Sequence, residues 1–193
     1  MAELKGLKRK REDGEQNDSL AEVPASRPVL PDNVTDSCVS CEIALRGLNV
    51  KSNFADLLVS GVKDIECRKY ILGARGTGRT TFVIRTKGAD KRAVPAVIGM
   101  VRFEGCYAYA SKEQYEADRS RHHIVSSSEF EWSGASELYA WQVGKCFVFQ
   151  EPIPVDKPNV PRRNMIGWTK PVKLKVKVLQ SQLDAILEML KDD

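Results

Sequence analysis

Apolar positions along this chain recur with two periods, and the switches between them lay out the elements. Asn53 opens a short helical stretch in which Phe54, Leu57 and Leu58 share one face and Asp56 sits in the first turn; Gly61 supplies a left-handed stop. A strand follows with almost no linker, through Asp64, Glu66 and Arg68 on one side and Lys63, Ile65 and Cys67 on the other. Thr81–Arg85 and Pro95–Phe103 are β-branched and aromatic, with Lys87-Gly88-Ala89-Asp90 as turn chemistry between them. Ser111 and Gln114 have capping-box spacing and predict a polar helix to about Arg121 with Tyr115 inward. Leu138–Val143 reads as a further strand, and Val172–Val178 alternates strictly between apolar residues and Lys173, Lys175 and Lys177. Ser181 caps a last helix whose Leu183, Ile186, Leu187 and Leu190 form one stripe.

The first residues have a different texture. Residues 1–36 are rich in charge, Ser and Pro and lack aromatics, too polar to bury a core, so they read as a disordered tail ahead of one folded domain over 37–193. Residues 1–33 carry six Lys and Arg against seven Asp and Glu, which leaves a net +5 on the rest of a chain whose total is +4. The folded part is therefore the basic part. Within the tail, Lys8-Arg9-Lys10-Arg11 is a basic run of the kind an import receptor reads, which predicts a nuclear, and in part cytoplasmic, protein. No apolar run approaches a bilayer span and the N-terminus opens with charge, so no membrane association is expected. The five cysteines are scattered, and Cys38–Cys41 has no matching second pair or histidines for zinc, so reduced thiols and neither metal nor cofactor are expected.

The densest chemistry lies at Gly61-Val62-Lys63-Asp64-Ile65-Glu66-Cys67-Arg68. Gly-x-Lys-x-x-Glu-x-Arg after a short helix resembles the signature of ASCH domains, members of the PUA-like superfamily of RNA-associated β-barrels, matched by Gly61, Lys63, Glu66 and Arg68. The strand at Thr80–Thr86, Ile98-Gly99-Met100-Val101, Leu138–Val143 with Phe147 and Pro152, and Gly167-Trp168 follow in the family's order, over about Ile43 to Val178. The resemblance implies an α+β fold: a PUA-like β-barrel of five to six strands with flanking helices and a cleft at its mouth. There Lys63 and Arg68 would meet phosphate or base edges of RNA, single-stranded or modified, with Glu66 orienting them.

Some ASCH proteins are hydrolases that deacetylate N4-acetylcytidine, and others cleave single-stranded RNA. The deacetylases use a lysine, a threonine and a glutamate; Lys63 matches the lysine, but Glu66 stands where the threonine is expected, so a threonine nucleophile has no residue here. A modified route would use Glu66 as general base and Lys63 at the oxyanion, with Arg68 holding the carboxylate. The same three residues also suit a buried ion-pair network. Residues 63 and 66 face opposite sides of an ideal strand, so joint action requires a bulge or turn. A third reading is a nuclear protein-interaction module of the kind found in transcriptional coactivator complexes.

Other candidates surround this motif. Lys173, Lys175 and Lys177 form a row spaced about 7 Å apart, either a phosphate rail or a lysine-protected sheet edge. Arg75 and Arg79 lie in a Gly-rich turn that lacks the ending of a triphosphate-binding loop; they are rim phosphate contacts or plain loop. His122 or His123 with Glu129 or Glu131 suits acid–base chemistry, or is an ordinary polar helix end. Trp132 is a core lid or a base-stacking platform, and Trp168 is the better aromatic for contact at the rim.

Overall fold

The computed structural model describes residues 37–74, 76–86, 94–155 and 168–191, the last segment with its first three residues as backbone only. In chain order the elements are β1 (Cys38–Lys51), α1 (Ser52–Val59), β2 (Ile65–Arg68), β3 (Thr80–Thr86), β4 (Ala96–Ala108), α2 (Lys112–Ala117), α3 (Arg119–His122), β5 (Tyr139–Pro154), β6 (Trp168–Leu179) and α4 (Gln180–Leu190). The strands form one six-stranded mixed sheet in the order β2-β5-β4-β3-β1-β6. β1 and β3 run parallel across the α1 crossover, and every other pairing is antiparallel. The α+β class holds. The sheet ends at β2 and β6, which do not pair, so it is not closed into the expected barrel.

Both faces of the sheet are buried, which explains why its central strands lack clean alternation. On β3, Phe82 and Ile84 pack on one side with Ile43, Met100, Phe149, Val176 and the Ile186 and Met189 of α4. Val83 packs on the other with Leu48, Ile98, Phe103, Trp141 and the Ala55, Leu58 and Val59 of α1. β1 serves both sides because its register with β6 shifts between Arg46 and Leu48, moving its apolar residues from one face to the other. Gly99 sits where β5 crowds β4: a Cβ there would lie 2.2 Å from the Phe147 carbonyl oxygen. A third cluster, Ile65, Tyr109, Tyr115, Trp132, Leu138 and Ala140, underlies the end of the sheet where β2 lies.

Three boundaries differ from the sequence reading. α1 begins at Ser52 with Lys51 at the N-cap, because β1 runs straight into the helix and leaves Asn53 inside the first turn. The 111–121 helix is broken at Asp118 into α2 and α3; Ser111 caps it, accepting from the Gln114 amide at 3.3 Å, and His123 ends it at φ 56. α4 begins at Gln180 with Leu179 at its N-cap, whose amide donates to Gln182 Oε1 at 3.2 Å, so Ser181 is one residue inside the helix rather than its cap. The Lys87–Asp90 turn lies outside the described residues.

Candidate functional site

The exit from α1 creates the site. Gly61 takes φ 77, a conformation that suits a residue without Cβ, and the Lys63 amide then donates back to the Leu57 carbonyl at 2.9 Å. Lys63 and Asp64 thus lie in the short irregular segment between the turn at Gly61 and the strand, which starts only at Ile65. This is the irregularity that joint action of residues 63 and 66 requires. The Lys63 side chain folds under β2, where its ammonium donates to the carbonyls of Ile65 and, at 3.0 Å, His122, and lies 3.3 Å from Glu66 Oε2. The ammonium thus has two hydrogen-bond acceptors and one ion-pair partner, and the side chain is 1% exposed.

Glu66 is held from its other oxygen by Arg68, whose Nη2 lies 2.8 Å from Oε1 and also donates to the Asn49 carbonyl at 2.9 Å. The buried carboxylate is therefore shared by two cations, the condition under which a buried charge is tolerable. Arg68 Nε and Asn49 Oδ1 are buried with no hydrogen-bond partner among the described residues. The Arg68 guanidinium stands 5.9 Å from the Trp141 ring, and Tyr70 meets the same ring edge-on at 5.2 Å. Burial raises the Tyr70 phenol above its ordinary range against the opposing pull of Arg68, and burial pushes the Cys67 thiol up to about 12. Neither group is an ionised nucleophile near neutrality.

Glu66 and Arg68 line a cleft of about 760 Å³, the size range of small-molecule sites, together with Asn49, Lys51, Phe54, Lys69, Tyr70, Phe130 and Trp132. Phe54 and Phe130 meet edge to face at 5.6 Å, and the Lys51 ammonium lies 4.0 Å over the Phe130 ring. Trp132 is buried, donates from its indole to the Ser136 carbonyl at 2.7 Å and packs on Tyr109 and Tyr115, so it forms a wall of the cleft rather than an exposed platform. Phe54 was legible only as a helix-face residue, and Lys51, Tyr70 and Phe130 carry no local motif; they were missed because distant segments bring them together.

The remaining candidates separate from this cleft. His122 is buried and stacked on Tyr115 at 4.4 Å; its Nδ1 accepts from the Ile124 amide and its Nε2 contacts the Tyr115 carbonyl, each at 3.0 Å. Burial lowers its pKa, and it is a neutral structural ring. His123 Nε2 lies 3.0 Å from the Val62 carbonyl oxygen. The acid–base pairing with Glu129 or Glu131 is not formed: Glu129 pairs with Lys51 at 2.7 Å, and Glu131 with Lys112 at 2.6 Å and Arg119 at 3.1 Å. Arg119 first and Lys112 second hold the Glu131 carboxyl below its usual range.

Lys173, Lys175 and Lys177 are exposed on edge strand β6 opposite Ala44, Glu42 and Ser40, and none lines the cleft. Arg79 borders a second hollow of about 450 Å³ with Arg46, Thr80 and Pro171. Arg75, the Lys8–Arg11 run and the Trp168 side chain lie outside the described residues. Among the described residues no helix is long and apolar enough to cross a membrane.

By sequence, no family model and no curated protein matches the chain. Solved structures do. A tyrosine-to-phenylalanine variant of the ASCH protein of Zymomonas mobilis is similar over 74% of this chain and 96% of its own, with a TM-score of 0.50 and 17% identity. The unsubstituted Zymomonas mobilis ASCH structure aligns over 74% of this chain and 93% of its own at 18% identity and a TM-score of 0.48. At such identity the likeness speaks to the fold, and with the Gly61, Lys63, Glu66 and Arg68 signature placed at the helix exit of that fold, the chain has the ASCH fold.

Proposed function

We propose that this protein binds unpaired RNA and takes one base into the cleft. The observation that carries the reading is the convergence, in a single cleft large enough to admit a nucleoside, of a clamped Glu66–Arg68 pair with Phe54, Tyr70 and Phe130. A base has polar edges that match a carboxylate and a guanidinium and a flat face that stacks on aromatics, and only an unpaired base offers both at once. In this reading Lys63 is the buried post that fixes Glu66, and Arg68 is the contact. The ASCH fold, RNA-associated in the superfamily the signature resembles, supports it.

The hydrolase reading needs Lys63 free for a developing oxyanion. Its ammonium is buried, donates to the Ile65 and His122 carbonyls and pairs with Glu66, so an oxyanion would have to compete with these groups. Binding without turnover is the reading the geometry favours. Nuclear import through Lys8-Arg9-Lys10-Arg11 belongs to the same proposal; protein docking is the alternative, and salt dependence separates the two.

Fluorescence anisotropy on single-stranded RNA, duplex RNA and DNA, at low and moderate salt, tests it. Single-stranded RNA is expected to bind best, and Arg68→Ala to weaken it by about 5- to 150-fold, the range of a good base-edge contact. Equal binding of duplex and single strand, or an Arg68→Ala protein that binds like the parent, would refute the cleft as the site.

A further inference from the structure

The mouth of the cleft carries a second arrangement that base recognition does not use. Lys51, at the junction of β1 and α1, reaches over Phe130 at 4.0 Å and pairs with Glu129 at 2.7 Å. That pair is solvent-facing, with side chains 44% and 72% exposed. Glu129 has no other hydrogen-bond or ion-pair partner among the described residues, whereas Glu131, two positions on, is gripped by Lys112 and Arg119. The Glu131 carboxylate is therefore anchored by two cations, whereas the Glu129 carboxylate is held by a single exposed ion pair, a type of contact worth little. Lys69, exposed on the same cleft and directly following Arg68, makes no ion pair among the described residues.

We propose that Lys51 and Lys69 form a phosphate site at the cleft mouth, and that Glu129 occupies it as an internal stand-in until a nucleotide phosphate displaces the carboxylate. The inference rests on the reading of the cleft as a nucleotide site and assigns that site's ligand class: a phosphorylated nucleotide rather than a free nucleoside. A phosphomonoester carries more charge than a carboxylate and offers three oxygens to the two ammonium groups, which favours the exchange. It also leaves Phe130 in place as a stacking surface while Glu129 turns to solvent. The aromatic and polar floor and the cationic mouth then contact the base and the phosphate of the same nucleotide.

Calorimetric titration of the full chain with the four ribonucleosides, their 5′-monophosphates and inorganic phosphate tests this, using the parent, Glu129→Gln and Lys51→Gln. The reading is the ratio of monophosphate to nucleoside affinity. Glu129→Gln is expected to raise that ratio about two- to five-fold and Lys51→Gln to lower it similarly, the scale of an exposed ion pair, with both changes shrinking in added salt. A Glu129→Gln ratio that falls or stays level, or a Lys51→Gln ratio that does not fall, overturns the phosphate site while leaving base binding intact. A Glu129→Gln gain reproduced in full by inorganic phosphate separates the mouth from the cleft and overturns the link between them. Failure of every nucleoside and monophosphate to bind overturns the cleft reading and this inference together.

Discussion

Replacing Lys63 by methionine nearly keeps its volume and removes the ammonium, in a position 1% exposed. The Ile65 and His122 carbonyls lose their donor, and Glu66 is left buried with Arg68 as its one cation. Removing one member of a buried ion pair costs about 3–5 kcal/mol, because the partner's charge stays desolvated without compensation. For a domain of this size each kcal/mol moves the melting temperature by about 2–4 °C, so a fall of roughly 6–20 °C is expected. Urea denaturation followed by tryptophan fluorescence and far-ultraviolet dichroism gives the free energy directly. The double variant Lys63→Met with Glu66→Leu removes both charges of this pair, leaving Arg68 with the Asn49 carbonyl as its acceptor, and is expected to lose less than the sum of the single losses, by at least about 1 kcal/mol. A Lys63→Met loss below about 1 kcal/mol, or strict additivity in the cycle, would refute the view that Lys63 is the post on which the site is built.

Other outcomes follow from the same geometry. Burial holds the His122 pKa below its ordinary value of 6.5, so the unfolded chain binds this proton more readily than the folded one; stability should be full above about pH 6.5 and decline as pH drops through the lowered pKa, and in His122→Gln that part of the slope should vanish. Cys67, pushed up to about 12 by burial, should alkylate at pH 8 on the order of a thousand-fold more slowly than an ordinary thiol, while exposed Cys38 labels first in a mass-spectrometric time course. Changing Lys173, Lys175 and Lys177 together to Gln should leave the preference for unpaired RNA intact, since the row lies outside the cleft; loss of that preference in a competition assay would move the site to β6.

Much of the fold was legible because its outer elements carry a clear period. β6 alternates as its lysine row implies, and Gly61 ends its helix with the positive φ expected of it. The open edges of the sheet were not legible, because a strand buried on both faces, such as β3, reads the same in a barrel and in an open sheet. For the site, Lys63, Glu66 and Arg68 stood out as charges crowded beside a turn, and the irregular backbone between Gly61 and Ile65 explains how they meet. Phe130 and Lys51, 79 positions apart, announce nothing in sequence; only the path of the loop from α3 to β5 over the end of β1 joins them.

The measurement that bears most directly on the central claim is a titration of the isotope-labelled chain with a short single-stranded RNA, followed by backbone and side-chain nuclear magnetic resonance. The account predicts shifts concentrated at Asn49, Lys51, Arg68, Tyr70 and Phe130, with Lys173, Lys175 and Lys177 little changed. Shifts centred on β6 or around Arg79, with the Glu66–Arg68 cleft silent, would contradict it.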